Sequence, residues 1–251
     1  ATAPTVVVYE PNGRHRAAWE SGPSAHLSVL DPGLLASAPD RLLTSGIVDA
    51  WAKIHEVRLT CGDAAERSAG ARAAIALLDD LAELLDRRAQ DAIDAGPSGS
   101  RDEAKLATRR LVAEAVVTHP GLIGGLAGRE AKLAVAHPIH DALTAHPDAF
   151  RALHGEKVGF GNLVQLMLSD GPERAKSEAE RYARLGLACH LAALGCEDAC
   201  SKEGMRDLAR DALTDPAVTT AVPGVALTEL AAAIAEADAI GRAVAPTPTG
   251  G

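Results

Sequence analysis

Aromatic side chains are scarce in this sequence: Tyr9, Trp19, Trp51, Phe150, Phe160 and Tyr182 are the only six among 251 residues. An interior with so few rings must be filled by Leu, Ala, Val and Ile, and such an interior favours closely packed helices over strands. An excess of positive charge is also lacking. The 25 basic and 34 acidic residues leave a formal charge of −9, whereas a nucleic-acid groove needs clustered Lys and Arg. No apolar run approaches the roughly 18 to 20 residues of a membrane helix, so no membrane partner is expected. Ala1 to Pro11 lacks the basic head and apolar stretch of a secretory signal. Four cysteines are too few for a disulfide scaffold and suit a reducing compartment, which points to the cytoplasm. Apolar residues are plentiful at 47%, which excludes a disordered chain of low hydrophobicity.

Two short runs read as strands. Val6 to Tyr9 leads into the turn sequence Pro11-Asn12-Gly13, and His26 to Leu30 stops at Asp31-Pro32-Gly33. Pairing of the two would give a short N-terminal β-hairpin. Helical spacing takes over afterwards. Ser37, Pro39 and Asp40 form a helix start, and the segment to about Leu59 follows with a break near Gly46. Leu77, Leu78, Leu81, Leu84 and Leu85 make one apolar stripe on a charged cylinder, ended by the loop Ala95 to Ser100. A helix from about Asp102 to Val117 closes at His119-Pro120-Gly121. Phe160, Leu163, Val164, Met167 and Leu168 repeat the stripe and stop at Asp170-Gly171-Pro172. Further helices are expected at about 173–193, 202–213 and 227–244. The expected architecture is mainly α: strands and loop over 1–36, a multi-helix domain over 37–244, and a disordered tail over 245–251.

Several residues could carry chemistry. His137, His140, His146 and His154 are four of nine histidines, and His137 and His140 share a helix face. Imidazole and carboxylate are the usual ligands of a catalytic divalent metal, but helix capping explains such histidines equally well by spacing alone. Asp49 lies inside a helix, where Asp is unfavourable. A pair with Lys53 four residues on, or metal ligation, would account for it. Gly121, Gly124, Gly125 and Gly128 follow a helix and a Pro turn, so they do not form a phosphate loop. Cys189, Cys196 and Cys200 with His190 lack the paired short loops of a structural zinc site and read as buried thiols.

Longer motifs resemble a known family. Asp31-Pro32, Ser37-Ala38-Pro39-x-Arg41-Leu42-Leu43, Ser45-Gly46-Ile47-x-Asp49-Ala50 and Ala136-His137-x-x-His140-x-x-Leu143-Thr144 are similar to the helical domain of the glycerol dehydrogenase branch of the iron-containing alcohol dehydrogenases. His154-Gly155-Glu156-Lys157-Val158-x-Phe160-Gly161-x-Leu163-x-Gln165-Leu166 is the clearest match. The resemblance runs co-linearly through Pro223-Gly224 and the last helix. It implies a metal held by Asp49, His137 and His154, either zinc or iron. It also implies the helical C-terminal domain of a dehydroquinate-synthase-like fold, beside an N-terminal domain that binds NAD. This sequence begins about where that domain would end, so no cofactor-binding residues are expected here and NAD would come through a partner chain or a missing domain.

Two departures from the family pattern bear on chemistry. Arg129 and Lys132 stand in a stretch that relatives keep small and glycine-rich, and they are candidates with His140 for acid, base or anion-binding roles. Phe150 and Arg151 stand where a polar His pair is common. The sequence therefore reads first as a metal-dependent alcohol or polyol dehydrogenase domain, in which a metal polarises a substrate hydroxyl or carbonyl. A repurposed nucleotide-independent lyase, hydratase, isomerase or hydrolase is the alternative, and a non-catalytic scaffold is the third reading. The expected partners are a small-molecule substrate, a nucleotide-binding chain and further copies of itself.

Overall fold

The computed structural model describes residues 5–20, 27–61, 68–97, 102–128 and 133–245. Arg129, Lys132 and the expected tail beyond Ala245 lie outside them. The chain divides into two compact units, one of residues 1–7 with 17–132 and one of residues 8–16 with 133–251.

A hairpin of β1 (Thr5–Tyr9) and β2 (His15–Glu20) is the only sheet among the described residues. The second strand expected at His26–Leu30 is not formed, since residues 27–30 are irregular. The turn explains the difference. Gly13 takes φ of 84° and the chain reverses at once, with Glu10 N–H donating to Arg14 O at 2.8 Å. The returning strand is therefore the segment immediately after the turn, although its sequence has little of the usual apolar alternation.

The first unit holds α1 (Pro32–Ala36), α2 (Asp40–Cys61), α3 (Ala69–Asp94) and α4 (Glu103–Ala127). Asp31 does not merely end a strand: its Oδ1 accepts from the Gly33 and Leu34 amides and caps α1. The α2 helix runs unbroken through Gly46. On α3 the leucine stripe faces inward, with Leu78, Leu81 and Leu85 buried. The α4 helix continues past Val117 and through Pro120, ending at Gly128 with φ of 55°. A proline removes one helical hydrogen bond, and a long helix packed against α3 and α2 tolerates that loss.

The second unit holds α5 (Ala136–Leu143), α6 (His154–Ser169), α7 (Pro172–Arg184), α8 (Lys202–Ala212), α9 (Pro216–Ala221) and α10 (Leu227–Val244). Its centre is α6, buried from Gly155 to Leu166 and packed on α5, α7 and α10. Its buried polar side chains, Glu156, Lys157 and Gln165 among them, find hydrogen-bond partners inside the unit. The α7 helix stops nine residues before the expected 193. Gly186 at φ of 81° ends it, with Leu187 N–H reaching Tyr182 O and Gly186 N–H reaching Ala183 O. Among the described residues no helix is long and apolar enough to cross a membrane.

Candidate functional site

Within the second unit, α5 and α6 are held close enough to bring their histidines together. Gly161 on α6 makes this possible: a Cβ there would lie 2.2 Å from Ala136 O, at the first residue of α5. No side chain of its own caps α5. Instead the buried Gln165 on α6 accepts from the Val135 amide at 3.0 Å and the Ala136 amide at 3.4 Å. One side chain thus satisfies two otherwise orphaned donors and fixes the start of α5 against α6.

The charged residues after His154 support its position. Glu156 Oε2 accepts from the Leu153 amide at 2.8 Å, closing the first turn of α6. The buried Lys157 donates from Nζ to Ala149 O at 3.0 Å and Ala152 O at 3.1 Å. Burial lowers its pKa from the ordinary value. These bonds tie the 3₁₀ turn Pro147–Arg151 to the helix that presents His154.

Three of the four clustered histidines meet. The His137 ring lies 5.6 Å from His154 and 6.5 Å from His140, centre to centre, and His140 lies 4.3 Å from His154. His137 and His140 are buried, while His154 is exposed. His140 Nε2 is 3.0 Å from His154 Nδ1, and its Nδ1 is 2.8 Å from Asp141 Oδ1. Burial pushes the His140 pKa down to about 4, despite the opposing pull of Asp141. His146 stands apart, paired through Nδ1 with Asp198 at 3.0 Å.

Asp49 belongs to the first unit, half-buried on α2 between Val48 and Ala50. Its expected pair with Lys53 is formed, Nζ to Oδ2 at 2.5 Å. Phe150 is 64% exposed, with the Arg151 guanidinium 5.7 Å from its ring centre. Cys61, Cys189, Cys196 and Cys200 are free thiols. Burial raises Cys189 well above the ordinary thiol range and pushes Cys196 up to about 12, so neither is an activated nucleophile.

Two participants went unread in the sequence. Asp141 follows His140 directly, and that adjacency was the available signal. His15 comes from the distant β2 strand: its Nδ1 lies 3.3 Å from Asp141 Oδ2, and its amide donates to Thr144 Oγ1 at 2.7 Å. Asp141 and His15 also line a cleft of about 480 Å³ with Arg14, Asp211 and Asp215.

Comparison with known proteins places this helical arrangement. The crystal structure of glycerol dehydrogenase from Schizosaccharomyces pombe superposes with a TM-score of 0.79 at 27% identity, over 97% of this chain and 61% of that one. The Escherichia coli glycerol dehydrogenase is 32% identical over 224 residues, 86% of this chain and 58% of its own length. The chain is a relative of the glycerol dehydrogenases. A glycolaldehyde reductase from Halobacterium salinarum is 29% identical over 199 residues, 77% of this chain and 52% of its own length. No family model matches the sequence. The chain spans about half the length of the curated relatives it matches, between 40% and 58%. The structural likeness to the glycerol dehydrogenase covers nearly the whole of this chain.

Proposed function

We propose that this chain is the metal-binding part of an alcohol or polyol dehydrogenase, with Asp49, His137 and His154 as the ligands of one divalent ion. The observation that carries the reading is the approach of the His137 and His154 rings to 5.6 Å, on two helices whose spacing is set by Gly161 and Gln165. The donor set fits. Two ring nitrogens and one carboxylate oxygen suit zinc and also ferrous iron. Lys53 engages Asp49 Oδ2 and holds the carboxylate on α2. The negative charge of Asp49 offsets part of the charge of the ion, and His137 and His154 add neutral donors.

Bound there, a divalent ion would supply Lewis acidity toward a substrate hydroxyl or carbonyl. The substrate class is a small alcohol, polyol or aldehyde, as the names of the relatives suggest. The hydride acceptor is NAD, held by residues outside this chain or by a partner chain. Arg129 and Lys132 remain candidates for contacting a substrate. Leu27, Val29 and Leu34 expose apolar surface that self-association would cover. Free thiols fit a cytoplasmic location.

Zinc titration by calorimetry, on the chain and on Asp49→Ala and His154→Ala variants, tests the ligand set. One tight equivalent in the parent, weakened at least about 100-fold in each variant, is expected. Equal affinity in all three overturns the reading. Non-oxidative turnover of a polyol or carbonyl substrate with no NAD present, by elimination, hydration, isomerisation or hydrolysis, would favour the nucleotide-independent alternative.

A further inference from the structure

A chain of hydrogen bonds behind His154 is not used by the dehydrogenase reading, although what it achieves rests on that reading. Asp141 Oδ1 lies 2.8 Å from His140 Nδ1. A carboxylate can only accept, so the proton of this contact sits on His140 Nδ1. A neutral imidazole has one N–H, which makes His140 Nε2 an acceptor. The contact of 3.0 Å between His140 Nε2 and His154 Nδ1 therefore takes its proton from His154. With Nδ1 protonated, the lone pair of His154 is on Nε2. A metal binds imidazole through that lone pair, and the partner of the opposite nitrogen selects which one it is.

We infer that Asp141 and His140 are positioning residues that act in series to fix His154 as an Nε2 ligand. Asp141 is itself held. Its Oδ2 meets His15 Nδ1 at 3.3 Å, and Thr144 Oγ1 donates to its backbone carbonyl at 2.6 Å while accepting from the His15 amide. His140 is 1% exposed and engaged at both ring nitrogens. That leaves it no nitrogen with which to touch a substrate, so the acid–base role expected from the sequence gives way to a positioning one.

Two measurements test this. Long-range proton–nitrogen NMR on the metal-free chain, labelled at histidine with nitrogen-15, reports which nitrogen of each ring carries the proton. His140 and His154 should both appear as Nδ1–H tautomers, and His140→Ala should return His154 to a mixture dominated by Nε2–H. His154 found as Nε2–H in the parent overturns the inference. In zinc competition titrations, His140→Ala and Asp141→Ala should bind about 10- to 100-fold more weakly. Asp141→Asn, whose amide oxygen still accepts from Nδ1–H, should recover most of that loss. Zinc binding that depends on Asp49 and His154 yet ignores both alanine variants overturns the positioning pair alone. Binding that ignores Asp49 and His154 overturns the ligand set beneath it. If an alanine variant fails to fold, the tautomers of the parent and the affinity of Asp141→Asn still decide.

Discussion

His140 carries a cost that appears as acid sensitivity. Its folded pKa is about 4 against an ordinary 6.5, because burial disfavours the imidazolium. As pH falls below 6.5 the unfolded chain takes up this proton before the folded chain does. The stability held above 6.5 is therefore lost progressively down to about 4, by about 3 kcal/mol. Urea unfolding of the metal-free chain at about pH 7 and about pH 4.5 should show this loss, and His140→Asn should flatten it. An equally steep loss in His140→Asn would place the acid sensitivity elsewhere, with the half-buried His190, also lowered by burial, the next candidate. Part of this residue chemistry was legible in the sequence, where spacing put His137 and His140 on one face. The partner of His140 was harder to read, because an Asp beside a His points to no particular nitrogen until the backbone is placed. His15 gave no signal at all, because its contact joins positions 126 residues from Asp141.

Between helices, one atom decides the spacing. Gly161 faces Ala136 O with no room for a methyl group. Gly161→Ala should push α5 from α6, destabilise the second unit by about 1–3 kcal/mol through overpacking, and weaken zinc binding as the His137–His154 separation grows. Thermal unfolding and zinc titration of this variant check both effects. Unchanged affinity in a destabilised variant would mean that α5 absorbs the shift away from its histidine. Helix identities were readable from apolar period in α3 and α6, whereas ends were not. Pro120 reads as a terminator in sequence, but α4 passes through it because packing on α3 outweighs one lost hydrogen bond. Gly186 gives no such warning, yet its left-handed backbone stops α7 at Arg184.

At the scale of the whole molecule, the shortage of rings foretold a helical protein, and among the described residues the only strands are those of one hairpin. The division into two units was not foretold, because no change of composition marks Lys132. Each unit is defined by contacts between distant positions, and in the first unit Arg109 makes the most telling set. Fully buried on α4, its guanidinium donates to Ala36 O at 2.8 Å, Ala92 O at 2.9 Å and Ala38 O at 2.5 Å, and pairs with Asp40 at 2.8 Å. It thereby joins the end of α1, the start of α2 and the buried carbonyl of Ala92 in the last turn of α3. Nothing in the sequence separates Arg109 from Arg110, which pairs at the surface with Glu103. Only the planar five-donor fork can serve three carbonyls and a carboxylate at once. Arg109→Met fills the space but leaves those carbonyls without their donor, at an expected cost of about 3–5 kcal/mol. Arg109→Lys should recover only a small part, since a single ammonium cannot span the same acceptors. Urea midpoints of both variants, with hydrogen exchange at the α1 to α4 amides, check this. A methionine variant as stable as the parent would show that solvent replaces the lost donors, and that Arg109 is an occupant of the first unit's core rather than its organiser.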